Sequence, residues 1–161
     1  QGLLRVAGPT AMIFSRQTLP AQITHVDQAL LAHRGGYVLV PEQGNLDAII
    51  IAAGSEVALA VEAAERLTAA GKGIRVVSMP CAEVFEAQEA GYREAVLPSD
   101  VLARVAVEAA HTDFWYKYVG LDGRVVGMSS FGESAPAGDL FQHFGITTDS
   151  VVNAVEDVIL D

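Results

Sequence analysis

Residues 47–78 read DAIIIAAGSEVALAVEAAERLTAAGKGIRVVS, and this stretch decides the fold. Its opening, Ala48–Ala52, is continuously apolar rather than alternating, the pattern of a strand covered on both faces of a sheet. From Glu56 to Ala70 the period changes: Val57, Ala60, Val61, Ala64 and Leu67 fall on one helical face, with Glu62, Glu65 and Arg66 turned away. Ser55 is the expected N-cap and Gly71 the expected residue just past the helix end. After a Lys72-Gly73 turn, the β-branched run Ile74–Ser78 supplies a second strand. A strand–helix–strand unit crosses over right-handedly in nearly all cases, so the two strands should lie parallel in one sheet.

The same pattern extends outward. Upstream, Ala11–Phe14 is a short apolar run between Gly8-Pro9 and a polar Ser15-Arg16-Gln17 exit, and reads as a strand ending in a loop. Pro20 to Arg34 carries no strong strand signal, and Gly35-Gly36 breaks the chain before Tyr37–Val40. Downstream, Pro80 opens a mixed segment to Leu97 whose Phe85 and Tyr92 should pack on the sheet, and Pro98-Ser99-Asp100 ends it. Ala103–Val107 and Val125–Met128 read as further strands, the latter after an Asp122-Gly123 turn, around an aromatic stretch Asp113–Val119 of undecided type. Helices are expected over about Pro136–Phe144 and Asp149–Leu160, the second with Val151, Val155 and Val158 on one face. The expected architecture is a three-layer α/β/α domain, preceded by a strand and linker that do not obviously belong to it.

Composition narrows the function classes. A chain of 161 residues, 51% hydrophobic, can bury roughly 70% of its unfolded surface and needs neither disulfide nor metal to fold. Twenty carboxylates against ten Lys and Arg give a net charge of −10, which repels a nucleic-acid backbone and gains nothing from an anionic membrane. The single cysteine, Cys81, cannot form an internal disulfide, and a cytoplasmic location is the expectation. The longest apolar runs fall far short of the roughly 20 residues of a membrane helix. The sequence starts at Gln1 and runs at once into a strand-like segment, so it reads as part of something longer.

Few residues stand out chemically. The four histidines, His25, His33, His111 and His143, have no metal-ligand spacing. Cys81 follows Pro80 after a strand, where a thiol could be activated, but a small residue at a strand–helix junction is the simpler reading. The Ala53-Gly54-Ser55 turn could offer backbone N–H groups to an anion, or be an ordinary cap. It lacks the glycine pattern of a dinucleotide site, and Ser78-Met79 stands where the ribose-binding acid would be. His111-Thr112-Asp113 beside Trp115, Tyr116 and Tyr118 could wall a polar pocket, though dense aromatics more often build a core or an interface. Arg16 sits just past the carboxyl end of the expected first strand, where ligands of open α/β sheets bind, and could clamp a phosphate. An exposed, solvated arginine is the alternative.

The segments GPTAMIFSRQTLP, RGGYVL, IIIAAGSEVALAVEAAERL, IRVVSMP, YREAVLP, ARVAVEA, WYKYVG and FGESAPAGDLFQHFGIT, in this order, resemble the C-terminal part of transketolase over essentially the whole chain. WYKYVG followed by FGESAP and FGIT is unlike deoxyxylulose-phosphate synthase or the 2-oxoacid dehydrogenase β subunits. The resemblance implies that residues 1–22 are the last strand of a pyrimidine-binding domain, 23–34 a linker, and 35–161 the C-terminal domain, with a mainly parallel, mixed sheet. It implies a cytoplasmic homodimer of the pentose phosphate pathway that moves a two-carbon ketol unit between sugar phosphates, using thiamine diphosphate and a divalent cation, Mg or Ca. The family's catalytic histidines, cofactor-activating glutamate and metal ligands lie upstream of this sequence, so no catalytic, cofactor-binding or metal residue is expected here and the chain alone should be inactive. One residue carries over: the arginine of the SRQ motif, here Arg16, binds substrate phosphate. Thr18 and Cys81 depart from the family pattern, which favours Asn and a Ser-like cap there. The competing expectations are a stand-alone small-molecule-binding or regulatory α/β module, and a purely structural dimerisation domain.

Overall fold

The computed structural model describes residues 6–23 and 25–160. The domain limits at residues 1 and 161, and residue 24 of the linker, lie outside them. Five strands form one mixed sheet: β1 Tyr37–Val40, β2 Ala48–Ala52, β3 Ile74–Ser78, β4 Arg104–His111 and β5 Arg124–Met128, in the spatial order β1-β3-β2-β4-β5. β3, β2, β4 and β5 run parallel, and only β1 is antiparallel, on the edge of β3. The inner ladders are regular, pairing Ile50 with Val76 on one side and Val105 on the other. Both outer ladders slip register, β1 between Val38 and Val40 and β5 opposite Val107–His111.

The helices are α1 Val26–Leu31, α2 Val57–Ala69, α3 Ala82–Glu86, α4 Ala90–Val96, α5 Tyr116–Val119, α6 Ala137–His143 and α7 Thr148–Leu160. Alternate residues of β2 face opposite layers: Ile50 packs with α2 and α7, Ile49 and Ile51 with Phe85, Val96, Trp115 and Tyr118. All five β2 residues are buried, which is why the strand had to be apolar throughout. α7 buries Val151, Val155 and Val158, as the spacing predicts. α2 ends as expected: Gly71 takes φ +87°, its N–H reaches Thr68 O and the Lys72 N–H reaches Leu67 O, a complete Schellman closure. No helix among the described residues is long and apolar enough to cross a membrane.

Arg75, on β3, ties three elements together. Its Nε and Nη2 donate to Glu42 at 2.8 and 2.6 Å, and Nη1 donates to the carbonyls of Ala95 and Val96 at the end of α4. Tyr92 of α4 donates to the carbonyl of Gly36, and its ring meets Phe85 edge-on.

Two local expectations are corrected. Ser55 does not cap α2: a 3-10 turn over Gly54–Glu56 precedes the helix, and the Ser55 hydroxyl donates instead to Glu56. Ala11–Phe14 is not a strand, because a strand exists through its ladder and this run pairs with no described strand; Ile13 and Phe14 are exposed. The expected linker holds α1 and a 3-10 turn, Ala32–Arg34.

Candidate functional site

The strand order reverses direction between β2 and β4: the chain leaves β2 for β3 on one side, then returns past it to β4 on the other. Open α/β sheets bind ligands outside the carboxyl ends of their strands at such a switch point. A cleft of about 540 Å³ lies there, walled by Ser55 after β2, Ala109 of β4, Met128 of β5, the 132–136 loop and the apolar face of α6 with Phe141 and Phe144. The remaining wall is Arg16 and Gln17, carried by the irregular segment before α1. The structure thus brings together two features that lie far apart in sequence, the Ser15-Arg16-Gln17 bend and the Gly54-Ser55 turn. Gly54 turns the chain out of β2 at φ +56°, and Ser15 Oγ is 4.0 Å from where its Cβ would stand.

Of the described residues that line it, Arg16 is the sole cation and Glu133 the sole carboxylate. Arg16 is exposed and makes no ion pair with a described residue. Such a guanidinium keeps its donors for a ligand, and its planar fork matches two phosphate oxygens.

Two carboxylates stand behind the cleft wall. Glu56 is only 3% exposed, and its Oε1 accepts the Ser55 Oγ–H at 2.5 Å. Glu108, on β4, accepts the Trp115 Nε1–H at 2.7 Å. Burial pushes the Glu108 carboxyl above the ordinary range, the indole N–H draws it back, and the charge of Glu56 raises it further. Neither is ion-paired to a described Lys or Arg. The sequence reading passed over both. Glu56 was detectable, since it lies four residues before Ala60 and eight before Ala64 on the buried stripe of α2.

The other singled-out residues do not converge. Trp115 and Tyr118 are core residues, packed with Phe114 at ring-centroid distances of 5.3 and 6.1 Å. Tyr118 also borders a shallow polar cleft with Glu86, Arg93, Glu94 and Lys117, but His111, Thr112 and Asp113 do not line it. His111 and Asp113 lie exposed, the Asp113 N–H donating to the imidazole. Cys81 occupies the N-cap of the five-residue α3 without a capping bond, its thiol 3.6 Å from a Glu83 oxygen. No three His, Cys, Asp or Glu side chains among the described residues are grouped to hold a metal ion.

Residues 35–147 match the family model of the transketolase-like C-terminal domain. Transketolase 2 of Vibrio vulnificus is 56% identical over 155 residues, 96% of this chain and 23% of that protein. The chain therefore spans about a quarter of the length of such curated relatives. Among solved structures, a transketolase from Leishmania mexicana superposes with a TM-score of 0.74 at 44% identity, over 81% of this chain and 19% of that one. A Pichia stipitis transketolase in complex with sedoheptulose-7-phosphate superposes with a TM-score of 0.75 at 35% identity, over 90% of this chain and 21% of that one.

Proposed function

Since the chain belongs to the transketolase family, whose C-terminal domain it carries, we propose that it works as the C-terminal portion of an enzyme that transfers a two-carbon ketol unit from ketose phosphate to aldose phosphate. Its direct contribution is Arg16, which holds the phosphate of the sugar. The observation that carries this reading is the place of Arg16: without an ion pair to any described residue, in a cleft at the carboxyl ends of parallel strands, with no other cation among the described residues that line it.

Residues 1–22 belong to a pyrimidine-binding domain and join its sheet as the last strand when that domain is present, with 23–34 the linker and 35–161 the C-terminal domain. Exposed Ile13 and Phe14 support this, because apolar side chains in an unpaired segment are what a neighbouring sheet would cover. The thiamine diphosphate expected in the complete enzyme supplies an electron sink. Its diphosphate requires a divalent cation, and the described residues of this chain do not fit one, lacking a convergent set of ligands. On this reading cofactor and cation belong to the rest of the enzyme, and this chain alone is inactive. The complete protein is a cytoplasmic homodimer acting on sugar phosphates, without nucleic-acid or membrane partners; the net charge of −10 supports the last two points. A stand-alone binding module would also use a switch-point cleft, but it gives no reason for transketolase likeness to extend across 96% of the chain.

Arg16→Ala in the complete enzyme tests the phosphate contact. A charge-assisted bond to phosphate contributes about 1.5–3 kcal/mol, so kcat/KM for phosphorylated acceptors should fall about 10- to 150-fold. A contact made equally in ground and transition states raises KM alone, whereas one that positions the sugar also lowers kcat. A simple hydroxyaldehyde acceptor offers Arg16 nothing to hold. Equal losses against both acceptors would mean that Arg16 acts through folding, and would remove the assignment.

A further inference from the structure

A phosphate gripped by two guanidinium N–H groups leaves the other three donors of an arginine free, and an exposed side chain with several rotatable bonds grips well only if something holds that second edge. Four polar lining residues bear on what could hold Arg16, one of them Ser134, whose exposed hydroxyl is fixed by no hydrogen bond to a described residue and donates as readily as it accepts. Gln17, its neighbour on the same segment, moves with it. Glu133 is a carboxylate, and a full ion pair there would cancel the charge that the phosphate needs. Ser55 is neutral, and it is set apart by Glu56.

A serine hydroxyl has one proton and two lone pairs. The Ser55 proton is already committed to the Glu56 carboxylate at 2.5 Å, and Glu56 is buried, held between the start of α2 and β4. What Ser55 presents to the cleft is therefore acceptor only, with its electron density enriched by the charge-assisted bond behind it. An acceptor of that kind cannot serve phosphate oxygens, which need donors. It suits a guanidinium N–H.

We propose that Ser55, fixed as an obligate acceptor by buried Glu56, is the positioning residue for Arg16: it accepts one guanidinium N–H and turns the remaining fork toward the substrate phosphate. This rests on the phosphate-binding reading of Arg16. Ser55 and Glu56 never touch the sugar. They act through the arginine, which links the first turn of the C-terminal domain to substrate recognition by a segment outside its sheet.

The test is made in the complete enzyme, and the readout is the ratio of kcat/KM for a phosphorylated acceptor to that for a simple hydroxyaldehyde. Ser55→Ala should lower the ratio about 3- to 10-fold, the scale of one ordinary net hydrogen bond and less than the loss of the arginine itself, because Ser55 acts on the phosphate only through Arg16. Ser55→Thr, which keeps the hydroxyl, should hold it within about twofold of the parent. Glu56→Ala removes the acceptor behind Ser55, frees the hydroxyl proton toward the cleft, and should lower the ratio in the same direction as Ser55→Ala, whereas Glu56→Gln, whose amide oxygen still accepts that proton, should stay nearer the parent. In an Arg16→Ala background, Ser55→Ala should lower it no further, because the residue it positions is gone. An unchanged ratio in Ser55→Ala, where Arg16→Ala lowers it, overturns this inference alone. Additive losses in the double variant overturn it as well, as do equal losses against both acceptors. An unchanged ratio in Arg16→Ala overturns the phosphate reading, and this inference with it.

Discussion

Arg75 offers a quantitative check on how the domain is held together. Its guanidinium forks onto Glu42 and also satisfies the carbonyls of Ala95 and Val96, so one side chain joins β3 to the loop after β1 and to the end of α4. The two side chains are 12% and 21% exposed, closer to a buried pair than to a surface one. Breaking a fully buried pair by removing one partner costs about 3–5 kcal/mol, while exposed pairs are worth about 1 kcal/mol or less. Arg75→Met keeps much of the stem's packing but strands the carboxylate and two carbonyls, and should destabilise by about 2–3 kcal/mol at pH 7. Urea unfolding can be followed through Trp115, the one tryptophan, which is 2% exposed. With a slope of about 2 kcal/mol per molar, the midpoint should fall by about 1–1.5 M.

The effect has a pH signature. The Arg75 hydrogen bond holds the Glu42 carboxyl below the ordinary range, against the opposing pull of burial. A group whose folded pKa is depressed contributes stability that is present above its unfolded value and lost as pH falls through the folded value. In Arg75→Met the depressing partner is gone, burial outweighs the backbone N–H, and protonation relieves the variant instead. The gap between parent and variant should therefore narrow steadily from about pH 5 downward. A gap under about 0.5 kcal/mol at pH 7, or one as wide at pH 3.5 as at pH 7, would refute the account of Arg75 as a buried clamp.

Two further outcomes are expected. Trp115 fluorescence in the folded chain should titrate with Glu108 above the ordinary carboxylate range, and Glu108→Gln should abolish that step. Because this pKa is raised by folding, the carboxyl's contribution to stability should decline as pH climbs through the raised value, and a step in the opposite sense would contradict the burial argument. Cys81→Ser in the complete enzyme should leave turnover within a few-fold of the parent, since Ser caps α3 at least as well; a loss near a thousandfold would mark a nucleophile.

The fold was most legible where one physical requirement fixed many residues at once. β2 had to be apolar at every position because both its faces are covered, and α2 had to repeat at helical spacing because only one of its faces is. β1 was less legible: Tyr37–Val40 is four residues long, and nothing within it says that it runs against β3 rather than with it. β4 extends four residues past the apolar Ala103–Val107, since its outer half alternates between half-buried and exposed positions. Ala11–Phe14 has the composition of a strand, but pairing is a property of two segments, and the described residues supply no second one. At the site, Arg16 and the Gly54-Ser55 turn were each visible, but not their meeting, which depends on the crossover order of the sheet. Glu56 and Glu108 escaped notice because carboxylates are mostly solvated, and these two are not.

The sheet's margins differ from its interior. β2 holds unbroken register with β3 and β4, while both outermost ladders slip, one beside a strand of only four residues. A slipped, short border is a poor template for backbone-to-backbone growth, and natural sheets use such irregularity to resist edge-on polymerisation. Recognition by this domain is thereby weighted toward side chains: a neighbour is met by surface chemistry more than by a strand added along a short or irregular border.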